Sequence, residues 1–123
     1  MRAVLESIAY QTRDVVECVR ADSRLELDTL RVDGGAATND FLMQFQADIL
    51  GVCVERPSVL ESTALGAALL AGLGVGFWSD RADLESADGR AQVFEPKVDA
   101  ERREALYAGW KRAVERSRDW EEV

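Results

Sequence analysis

Gly34 and Gly35 stand between a short segment, Leu30-Arg31-Val32-Asp33, and a run, Asn39-Asp40-Phe41-Leu42, that reads as the opening of a helix. A strand that ends in a glycine pair and turns into a helix gathers backbone N–H groups and the positive helix end at one point. Proteins hold phosphates and nucleotides with that geometry. Two adjacent glycines also remove the Cβ atoms that would keep a ligand off the backbone. The same pair occurs in turns that bind nothing, so the motif alone leaves both readings open. Asp33 has two readings as well. A strand-end carboxylate suits a catalytic or magnesium-binding role, but a turn residue that bonds the following N–H groups is the simpler reading.

The elements that must position this turn follow from periodicity. Val4, Leu5, Ile8, Thr12, Val15, Val16 and Val19 recur at three- and four-residue spacing and predict an amphipathic helix over residues 1–22, with Cys18 on its apolar side as a small core residue. Leu27 to Val32 reads as a first strand. Asn39 to Leu50 reads as a second helix, with Phe41, Leu42, Phe45, Ile49 and Leu50 inward and Gly51 as its stop. Val52 to Arg56 is a second short strand closed by Pro57. A third helix over 64–73, capped by Ser62 or Thr63, is apolar nearly all round. Gly72-x-Gly74-x-Gly76 resembles half of a dinucleotide loop, but it closes a helix where that fingerprint opens one, so it reads as a helix stop. Residues 78–98 read as an irregular loop, and a last helix spans 99–120. Trp78, Trp110 and Trp120 read as packing anchors. The order is αβαβα with a C-terminal helix, an α/β class whose two strands leave the sheet incomplete.

Composition narrows the function classes. The chain of 123 residues carries a net charge of −8, which argues against nucleic acid as a partner. It contains no histidine, which excludes a Ser-His-Asp or Cys-His arrangement within these residues. Cys18 and Cys53 have no companion ligands for a zinc site and are expected to be reduced. No charged-then-apolar leader opens the sequence, so a cytoplasmic location is expected. Ser62 to Ser79 lacks formal charge and approaches the length of a membrane span, but its glycines and alanines fit a buried helix and turn better.

Several runs go further. Arg2 to Val15, Leu30 to Asn39, Phe41 to Gly51, Val54-Glu-Arg-Pro57, Thr63 to Ala68, Ala71 to Trp78 and Tyr107 to Val114 together resemble the glycerol kinases of the FGGY carbohydrate kinase family. The resemblance covers nearly the whole chain. It implies the C-terminal part of an actin-like, ribonuclease-H-like second domain, with residues 1–123 forming part of its nucleotide-binding portion. It also implies a reaction, transfer of the γ-phosphoryl group of Mg-ATP to a glycerol hydroxyl. Carried over by position, Gly35 and Asn39 are the ATP or ADP contacts. Gly35 presents its backbone, and Asn39, in the first helical turn, presents its side-chain amide. Gly34 shapes the turn. Asp40, where relatives often carry asparagine, places negative charge near the nucleotide. The family's catalytic aspartate and glycerol-binding residues have no counterpart here, so no catalytic residue is assigned and the chain alone is expected to be inactive. Homo-oligomers are a family expectation. The alternatives are another FGGY sugar kinase, a stand-alone nucleotide-binding or interaction module from a split gene, or a remnant that does not fold.

Overall fold

The computed structural model describes residues 1–24, 26–80 and 91–118. The elements run α1 (Arg2–Ser23), β1 (Thr29–Arg31), a 3-10 turn (Gly35–Thr38), α2 (Asp40–Leu50), β2 (Cys53–Arg56), α3 (Ser62–Gly74), β3 (Gln92–Phe94) and α4 (Ala100–Arg116). The sheet has the order β1-β2-β3. β1 and β2 are parallel, with Leu30 opposite Val54, and α2 is the crossover between them. β3 runs antiparallel to β2, with Phe94 opposite Val54.

The expected αβαβα order with a final helix is therefore present, and the sheet gains a strand from the segment expected to be irregular. A three-residue strand is too short to show alternation in sequence. Its pairing with β2 makes it a strand, which is a tertiary cause. The remainder of that expected loop, residues 81–90, lies outside the described residues, as does Trp120.

The core is built around α2. Leu42, Ile49 and Val54 are the largest fully buried side chains, joined by Tyr10, Phe45, Phe94 and Tyr107. Of the α2 residues expected inward, Leu42, Phe45, Ile49 and Leu50 are buried, whereas Phe41 is exposed. Gly51 closes α2 at φ 70°, the left-handed position that favours glycine.

α1 corrects the expectation more sharply. Three of its four valines and Ile8 face solvent: Val4, Val15 and Val19 are all more than half exposed, while Val16 is half-buried. Cys18, expected in the core, is exposed too. The buried face is instead Ala9, Tyr10 and Arg13. Small Ala9 permits close approach to α2. Tyr10 stacks on Trp110 and meets Phe45 edge-on, with ring centroids 5.4 and 5.5 Å away. Arg13 donates through Nη2 to both carboxylate oxygens of Glu104, at 2.7 and 2.9 Å, while lying over the Tyr107 ring. Periodicity located an apolar stripe. Long-range polar and aromatic contacts decided which side of the helix meets α2.

α3 begins at Ser62, two residues earlier than expected, and neither Ser62 nor Thr63 caps it, since its N-cap is Glu61 with no side-chain bond. Among the described residues of α3 none is buried. The glycines at its end act as the stop the sequence suggested. Gly76 takes φ 76°, the Phe77 N–H donates to the Gly72 carbonyl at 2.8 Å, and Gly72 abuts the Trp78 indole. No described helix is long and apolar enough to cross a membrane.

Candidate nucleotide site at the end of β1

The turn after β1 is held from three sides. Val32 donates its N–H to the Glu55 carbonyl at 3.0 Å, continuing the β1–β2 pairing to the strand end. Gly34 donates to the Leu60 carbonyl at 3.0 Å, which ties the turn to the segment before α3. Asp33 accepts from the Ser62 hydroxyl in the first turn of α3. The Asp33 carboxylate thus serves as a strut to α3 and not in the bond to the following N–H groups expected of a turn residue.

The two glycines differ in what they do. Gly34 adopts φ 78° and ψ 177°, a region essentially closed to other residues, and this permits the chain to reverse out of the strand. Gly35 is exposed and begins the 3-10 turn without a positive φ. A Cβ built on Gly35 would meet no atom within 4 Å. Nothing in the described fold therefore requires glycine at 35, and its bare backbone faces open space.

Asn39 is not inside the first helical turn, as expected, but is the N-cap of α2, with extended backbone at φ −85° and ψ 103°. The 3-10 turn Gly35–Thr38 intervenes between strand and helix. Asn39 Oδ1 accepts the Leu42 N–H at 3.0 Å, as capping asparagines do. That leaves Nδ2, the donor half of the amide, for another partner. The cap also changes the electrostatics expected of this helix end. One orphan N–H is already satisfied, and Asp40 places a carboxylate in the first turn, where it offsets the positive end of the helix.

Arg56, which the sequence presented only as the last residue of a strand, reaches this turn. Its Nη1 donates to the Ala37 carbonyl at 2.6 Å, and its Nη2 lies 2.8 Å from Asp40 Oδ1. An arginine at the end of the strand parallel to β1 was the available signal, and no spacing rule would have picked it out. Among the described residues no group of three or more His, Cys, Asp or Glu could hold a metal ion.

The C-terminal domain of the FGGY family of carbohydrate kinases, compared as a family model, matches residues 1–75. The chain belongs to this family. Among curated relatives it is 65% identical over 120 residues to the glycerol kinase of Petrotoga mobilis, covering 98% of this chain and 24% of that protein. It is 63% identical over 121 residues to glycerol kinase 2 of Thermotoga maritima, with the same two shares. A crystal structure of Plasmodium falciparum glycerol kinase with ADP superposes with a TM-score of 0.84 at 38% identity, covering 99% of this chain and 24% of that one. The gluconate kinase of Lactobacillus acidophilus shares the fold at TM-score 0.68 and 22% identity, covering 94% of this chain and 24% of that one. The chain thus spans about a quarter of the length of the relatives it matches, and its α/β fold is that of the actin-like FGGY kinases.

Proposed function

We propose that this chain is the part of an ATP:glycerol phosphotransferase that holds the adenosine end of ATP or ADP, within the C-terminal portion of the nucleotide-binding domain. The observation that carries the reading is the placement of Gly35 and Asn39 at the two ends of one 3-10 turn. Gly35 is a glycine that the fold itself does not need, and Asn39 is fixed by its cap with one amide donor left over. A backbone that a base or ribose can approach closely and an amide donor left over by the cap suit a nucleoside. The Plasmodium glycerol kinase was crystallised with ADP, which supports a nucleotide as the ligand.

In this reading Gly35 supplies backbone contact, Asn39 Nδ2 donates to the nucleoside, and Gly34 holds the bend. Mg2+ would accompany the nucleotide and shield the charge of its phosphates. Transfer of the γ-phosphoryl group to glycerol, giving glycerol 3-phosphate, belongs to the assembled cytoplasmic enzyme, with positioning and charge stabilisation as the main sources of rate. The test is a calorimetric titration of Mg-ADP into the folded chain with Asn39→Ala alongside. Saturable heat that weakens in the variant supports the reading. A folded chain that gives no heat, or a variant that binds equally well, overturns it.

A further inference from the structure

We infer that Arg56 is the positioning residue of the nucleotide turn, acting through Ala37 and Asp40 and not by touching the ligand. This rests on the nucleotide reading above. Three observations meet at this side chain. The guanidinium donates to the carbonyl of Ala37, the buried middle of the 3-10 turn, at 2.6 Å. Ala37 lies two residues from Gly35 on one side and two from Asn39 on the other, so this bond anchors the turn that separates the two proposed contacts. The second nitrogen pairs with Asp40, the residue directly after Asn39, at 2.8 Å. It also donates to Gln92 on β3, and the guanidinium sits 5.2 Å from the Phe94 ring centroid.

One planar fork thus links the ends of β2 and β3 to both halves of the strand-to-helix turn. The Arg56 side chain is only 14% exposed, while Asp40 is 70% exposed, so the arginine is the fixed partner and the carboxylate is drawn to it. The pair has a second consequence. Asp40 would otherwise present an unbalanced negative charge beside a nucleotide, and Arg56 balances it. Lysine cannot reproduce this arrangement, since a single ammonium lacks the fork that satisfies the carbonyl and carboxylate together.

The test compares adenosine and Mg-ADP binding to the full chain by calorimetry, with thermal unfolding followed in parallel. Arg56→Lys keeps the charge and loses the fork, so adenosine and ADP are expected to weaken by the same factor, about tenfold, as the loss of a hydrogen bond to a charged group implies. Asp40→Asn relaxes the latch at its exposed partner with little risk to folding. It is expected to weaken adenosine by about two- to threefold, and a neutral ligand makes that loss independent of the charge removed. Asn39→Ser separates the two proposals. If wild type binds and Asn39→Ser does not, the nucleotide reading stands. Arg56→Lys and Asp40→Asn then binding adenosine as wild type does would overturn the role of Arg56 alone. A loss in Arg56→Lys that tracks its unfolded fraction, with Asp40→Asn unchanged, would also overturn it by reducing Arg56 to a structural residue. If the folded wild type binds neither ligand, the nucleotide reading fails and this inference fails with it.

Discussion

Asn39 accepts the Leu42 N–H through Oδ1 at 3.0 Å, so one side chain both starts α2 and presents an amide donor at the end of β1. Its two halves can be separated by substitution. Serine retains a capping oxygen and loses the amide, whereas alanine loses both. Asn39→Ala is expected to cost about 1 kcal/mol of stability and Asn39→Ser only a few tenths. Both are expected to lose ADP affinity. Chemical denaturation beside calorimetry checks this. An Asn39→Ser chain that binds ADP normally would show that the side chain is a cap and nothing more.

The two glycines are expected to respond in opposite ways. Gly34 sits at φ 78° and ψ 177°, so Gly34→Ala strains the backbone and is expected to destabilise by about 1–3 kcal/mol. Gly35 has open space where a Cβ would go. Gly35→Ala should therefore leave stability unchanged or raise it by up to about 1 kcal/mol through the unfolded state. Its effect should fall on the nucleotide, because the new methyl occupies the space the ligand would approach. Comparing thermal midpoints with ADP affinities for both variants decides it. If Gly35→Ala binds ADP as wild type does, the ligand does not approach this backbone.

What could be read from the sequence divides along physical lines. Helices were legible because residues such as Leu42, Phe45 and Ile49 repeat with the period of the structure they form. The glycine pair was legible because conformational demand is written in residue type, as Gly34 bears out. α1 was legible as a helix but not in its facing. Arg13 and Tyr10 meet partners such as Glu104 and Trp110 that lie far along the chain, and a local pattern carries no information about them. β3 was missed for the same reason, because its identity depends on pairing with β2. Arg56 was missed because the run Val54-Glu-Arg-Pro57 carries resemblance but no role for its arginine until the fold places Ala37 and Asp40 beside it.

The corrected facing of α1 has a chemical consequence. Cys18 is exposed on its surface, while Cys53 is half-buried in β2. Thiol labelling under native conditions should therefore show a fast phase from Cys18 and a slower one from Cys53. Cys18→Ser should remove the fast phase and change stability by no more than about 0.5 kcal/mol, as expected of a surface position. Two equal rates, or a fast phase that survives in Cys18→Ser, would return Cys18 to the interior.

Tyr107 connects α4 to α1 across 93 positions, donating its hydroxyl to Asp14 Oδ1 at 2.5 Å. Trp110 donates to the other oxygen at 2.8 Å. Burial, followed by that bond and the charge of Asp14, pushes the Tyr107 phenol from 10.0 up to about 12. In the pH interval between those values the folded chain keeps the proton and the unfolded chain releases it. Stability from this group is therefore complete below pH 10.0 and declines as pH rises through about 12, by about 2–3 kcal/mol in all. Tyr107→Phe removes the titrating group and should flatten this part of the alkaline decline, while lowering stability at neutral pH through the lost bond to a charged acceptor, about 1.5–3 kcal/mol. Denaturation profiles at a series of alkaline pH values, with phenolate absorbance read on the folded chain, measure both effects. If the variant and wild type decline in parallel, the coupling of α4 to α1 does not run through this hydroxyl.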